Sequence, residues 1–75
     1  MLMTLRFHLD GRELGETKTG AVPNEGQAVV LEHTLRGRRR YRVVDVEHQY
    51  TEVGSRRAEK FLAAPVVVHL RADDR

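Results

Sequence analysis

Apolar and polar residues alternate one for one along MTLRFHL, residues 3–9. Met3, Leu5, Phe7 and Leu9 fall on one side, and Thr4, Arg6 and His8 on the other. A period of two is that of a half-buried strand. Asp10-Gly11 follows at once and predicts a tight turn, because both residue types tolerate positive φ. Leu14 starts a short returning strand. Beyond it the alternation fades among Gly15, Gly20, Pro23 and Gly26, a stretch that reads as a loop or a loosely paired edge.

The alternation resumes in QAVVLEHTL, residues 27–35, with Val29, Leu31 and His33 in one phase and Val30, Glu32 and Thr34 in the other. Residues 36–39 connect to the next strand, with Gly37 as the turn residue. In YRVVDVEHQY, residues 41–50, the phase slips: Tyr41 and Val43 belong to one face, Val44, Val46 and His48 to the next. Such a slip predicts a β-bulge near Val43-Val44, which raises the local twist and helps a sheet curl. Residues 55–64 read as a short helix, with Ser55 as its cap, Ala58, Phe61 and Leu62 facing inward and Pro65 as its stop. A short strand after a Gly54-Ser55 turn is the alternative. The final strand, Val66 to Leu70, is apolar on both faces, which marks a central or covered position. The closing Asp-Asp-Arg reads as a solvated tail.

The expected fold is all-β: one small domain over residues 1–75, a strongly bent antiparallel sheet of about five strands with that short helix. An open sheet of this size leaves bare edges, and closure into a barrel removes them. The elements VPNEGQAVVL, YRVVDVEH and VVVHL resemble a pattern in small bacterial and phage proteins of SH3-like barrel type. The likeness rests on Pro23, Gly26, Val29, Leu31, Tyr41, Val43, Val46, His48, Val66, Val68 and Leu70. It implies the SH3-like barrel and a bacterial setting. Many such proteins have no assigned activity, so it supplies no catalytic residue.

Composition narrows the chemistry. A chain of 75 residues builds a small core and no deep cleft. Cysteine is absent, which excludes disulfides, thiolate metal sites and a cysteine nucleophile, and fits a reducing, cytoplasmic location. No apolar run is long enough to span a bilayer, and the first residues read as a strand and not as a signal peptide, so no membrane partner is expected. No Ser-His-Asp arrangement or phosphate-cradling glycine loop occurs. Asp45 and Glu47, two apart on one face, suit cross-strand ion pairs better than catalysis. His8, His33, His48 and His69 lack metal-ligand spacing; His48 is expected as a partly buried imidazole bonded to backbone or carboxylate. The expectation is a protein that is not an enzyme and has no cofactor and no metal.

The formal net charge is only +2, yet residues 36–60 hold eight basic side chains against four acidic ones. Arg36, Arg38, Arg40, Arg42, Arg56, Arg57 and Lys60, with Tyr50 as a stacking ring, form the candidate surface for nucleic acid or another polyanion. Arg38, Arg40 and Arg42 would share one face, with Arg39 turned away beside Tyr41. The same run also suits a solvated hairpin tip. Against this stands a protein-interaction module, expected as a homodimer. Its contact would be a free edge of the Met1-to-Leu9 or Val66-to-Leu70 strand, or an outward patch of Val30, Val44 and Val67.

Overall fold

The computed structural model of the protein describes residues 2–55 and 58–73. Strand β1 (Met3–Leu9) turns back into β2 (Arg12–Thr19) through Asp10 and Gly11, whose φ angles of 52° and 78° are both positive. Leu9 pairs with Arg12 across this two-residue loop, the geometry that an Asp-Gly pair favours. The weakly patterned stretch is therefore strand as far as Thr19 and loop beyond it. Strands β3 (Ala28–His33) and β4 (Gly37–Glu47) form a second hairpin, turning through residues 34–36, with Gly37 at φ 77° as the first residue of β4. The chain then makes β5 (Tyr50–Ser55), β6 (Ala58–Ala63) and β7 (Val66–Ala72).

Five strands form one curled sheet in the order β2-β1-β7-β4-β3, which resembles half a barrel. Every neighbouring pair is antiparallel except β1 and β7, which run parallel. The core lies on the concave face, where Leu5, Tyr41, Val43, Val66, Val68 and Leu70 are buried and Phe7, Leu9, Leu14, Val29, Leu31 and Val46 pack around them. The slip in β4 is a bulge as expected. Val43 pairs with Leu70 and Asp45 with His69, so Val44 is the extra residue, and Val46 returns to the core face in the second phase. The Pro23-to-Gly26 segment ends in a turn that extends the β3–β4 ladder: Gly26 N–H donates to Val43 C=O at 2.8 Å, and Val43 N–H to Gln27 C=O at 2.9 Å.

Several expectations are corrected. No helix forms over residues 58–63, which are strand β6, paired with β5 from Tyr50↔Ala63 to Ser55↔Ala58; residues 56 and 57 lie outside the described residues. Phe61 and Leu62 do not face inward. Neither β1 nor β7 has a free edge, because both lie inside the sheet; among the described residues the edges of this sheet are β2 and β3. Val67 is buried and cannot join Val30 and Val44 in a bare patch. Asp73 is also no part of a solvated tail: its N–H donates to Arg40 C=O at 3.1 Å, and its carboxylate is held by two arginines.

Candidate functional site

Two surfaces draw attention, and they are built on different elements. The first is the hairpin β5–β6. Among the described residues, no Cα of either strand comes within 8 Å of a Cα in the other five strands. A bond from Ala64 N–H to Gln49 C=O, 2.9 Å, closes its neck. The hairpin therefore stands off the sheet as an arm, and the molecule measures 52 × 22 × 22 Å. Its radius of gyration is 14.8 Å, against about 11 Å for a compact chain of this length. Tyr50, Phe61 and Leu62 are 62%, 58% and 59% exposed, and Val53 is exposed as well. Residues directly opposite share a face, so Tyr50 and Phe61 lie diagonally on one side of the ribbon, and Val53 and Leu62 on the other. Both faces of the arm are thus partly apolar and bare.

The second surface is the arginine cluster at the start of β4. Arg38, Arg40 and Arg42 do alternate on one face, but each already has a partner within the chain. Arg38 Nη1 donates to Glu32 Oε1 at 3.0 Å. Arg40 Nε and Arg42 Nη2 both donate to Asp73 Oδ2, at 3.1 and 2.8 Å. Arg42 Nη1 also donates to Gly26 C=O at 3.0 Å. The Asp73 side chain is 11% exposed, and these guanidiniums, Arg40 first, hold its carboxyl below its ordinary pKa. Arg36 sits in the β3–β4 turn and Arg39 shares the core-side phase with Tyr41; neither forms an ion pair among the described residues. Lys60 and Tyr50 belong to the arm, so the structure does not bring them beside the β4 arginines. Arg56 and Arg57 lie outside the described residues.

Two of the four histidines come together. His8 and His69 are in register on β1 and β7, edge to face with centroids 5.7 Å apart. His69 Nε2 donates to Glu47 Oε1 at 3.0 Å, which fixes the proton on that nitrogen, since an ionised carboxylate can only accept. The Glu47 carboxyl is lowered below its ordinary pKa by the Gln49 amide first and by His69 second. His8 Nε2 stands 3.9 Å from Glu13 Oε1. His33 Nε2 lies 3.0 Å from the Tyr41 hydroxyl, so the bonded, half-buried imidazoles are His33 and His69; His48, expected in that role, is exposed between β4 and β5. Among the described residues, no three His, Asp or Glu side chains are grouped to hold a metal ion.

Nothing local in the sequence marks Asp73, the distinction of Arg36 and Arg39 from their neighbours, or the exposure of Phe61 and Leu62. No protein-family model, curated protein or solved structure matches this chain.

Proposed function

We propose that this protein is a non-catalytic interaction module that pairs with a second copy of itself through the β5–β6 arm. The observation that carries the reading is the arm's isolation combined with its bare apolar side chains. A two-stranded ribbon alone is marginally stable in water at best. Phe61 and Leu62 would each contribute roughly 1.5–3 kcal/mol on full burial, and in an isologous pair every contact counts twice. The curled sheet offers something to cover in return. Its edges among the described residues are β2 and β3, and an open cleft of about 210 Å³ between them is lined by Phe7 and Leu14 as well as by edge residues of both strands.

The likeness of residues 22–70 to small SH3-like proteins of bacteria and phage, and the cysteine-free composition that fits a cytoplasmic setting, belong to the same proposal. Neither adds a ligand. Polyanion binding along Arg38, Arg40 and Arg42 is the weaker reading, because those three guanidiniums already neutralise Glu32 and Asp73. Sedimentation equilibrium across a concentration series tests the proposal. The expected result is a dimer at roughly 100 μM, where a micromolar complex is nearly fully formed, and a monomer for Phe61→Ser/Leu62→Ser. A parent chain that stays monomeric at that concentration rejects it.

A further inference from the structure

Arg36 and Arg39 stand out within the arginine cluster because neither forms an ion pair among the described residues. Both line, together with the ion-paired Arg38 and Arg40, one open cavity of about 590 Å³ at the end of the concave face, where Leu9, Tyr41 and Ala72 supply apolar surface. A second cleft of about 320 Å³ shares Arg36 and Leu9 with it, and there Asp10, Glu13 and Arg12 also form the wall. The larger volume falls in the range of small-molecule sites. Asp73 also borders the cavity, but its carboxylate is already held by Arg40 and Arg42.

From this geometry we propose that the mouth of the half-barrel binds a small phosphate monoester with an apolar ester group. The charge argument is direct. Guanidiniums crowded on one turn and one strand repel each other, and a dianion between Arg36 and Arg39 relieves that repulsion while accepting from both forks. One carboxylate can be saturated by a single bidentate arginine, whereas a phosphate monoester presents three terminal oxygens. Leu9, Ala72 and the Tyr41 ring then receive the ester group. The Tyr41 hydroxyl is engaged with His33, so it is the ring that remains for this contact. A nucleic-acid strand fits less well: it needs a continuous cationic track, and the row that would extend one, Arg38 to Arg42, is internally paired. The proposal does not depend on the arm or on self-association.

The test is calorimetric titration of the full chain at low ionic strength with hexyl phosphate, inorganic phosphate and hexanol. Hexyl phosphate is expected to bind about tenfold tighter than inorganic phosphate, and hexanol not at all. Arg36→Ala and Arg39→Ala should each weaken hexyl phosphate about tenfold, the usual effect of losing a charge-assisted hydrogen bond. Lys60→Ala, on the arm and away from the cavity, should change it less than about threefold. Amide chemical shifts should move at Arg36, Arg39, Tyr41 and Ala72 in the parent chain. No saturable binding, equal affinity for both phosphates, undiminished binding by the Arg36→Ala/Arg39→Ala pair, or shifts confined to other residues would each overturn the proposal. Displacement of hexyl phosphate by a lower concentration of single-stranded DNA would overturn it too, by making the cluster a polyanion surface.

Discussion

Asp73 takes two guanidiniums on one oxygen and ties the end of β7 to β4 by its own backbone. Its folded pKa is depressed, so its contribution is complete above the unfolded value near 3.8 and is lost as pH falls through the lower folded value. Glu47 follows the same sign through Gln49 and His69. Urea unfolding of the parent chain and of Asp73→Asn should therefore differ at neutral pH, with the parent more stable, and the gap should close as acid protonates the folded carboxyl. A gap that persists in acid would refute the assignment. In the core, Leu5 is 1% exposed, and Leu5→Ala should cost about 2–5 kcal/mol, a large share of a small domain's stability. Leu35, bare in the β3–β4 turn, is the control, and its alanine variant should stay within about 0.5 kcal/mol of the parent. Nothing local in the sequence foretold the Asp73 clamp: Arg42 and Asp73 are separated by 31 positions, and a tail of Asp-Asp-Arg looks solvated wherever it occurs.

The strands themselves were legible where one face meets the core. Alternation located Met3 to Leu9, the Asp10-Gly11 turn, Val29 to His33 and the β4 bulge, because burial on one side forces a period of two onto the residues. The arm escaped for the same reason in reverse. Neither of its faces meets the core, so its apolar residues carry no burial phase, and Ala58, Phe61 and Leu62 happen to stand at helical spacing. Excising residues 50–63 and joining Gln49 to Ala64 by Asn-Gly is expected to leave the five-stranded sheet folded. Those two neck residues are already hydrogen-bonded, and among the described residues the arm's strands make no close backbone approach to the sheet. Near-parental far-ultraviolet circular dichroism and a cooperative melt, with dimerisation abolished, would bear this out; loss of the cooperative melt would mean that the sheet needs the arm.

For the molecule as a whole, the all-β class and the strong bend followed from the pattern, whereas the half-barrel outline and the elongated form did not, since both depend on which strands become neighbours. The unequal use of the arginines was hidden likewise. Their crowding is visible in the sequence; that Arg38, Arg40 and Arg42 are ion-paired while Arg36 and Arg39 form no ion pair among the described residues depends on Glu32 and Asp73 meeting the first three in space. The parallel pairing of β1 with β7 carries a further consequence, this one for time. Leu5 and Val66 sit side by side although some 60 residues separate them, and β7 is also the strand that joins β1 to β4. Before β7 exists, the chain has only separate hairpins, each marginal by itself. The sheet therefore cannot assemble progressively from its beginning as the chain is synthesised: its central strand is made after the other four, and folding waits for a long loop to close.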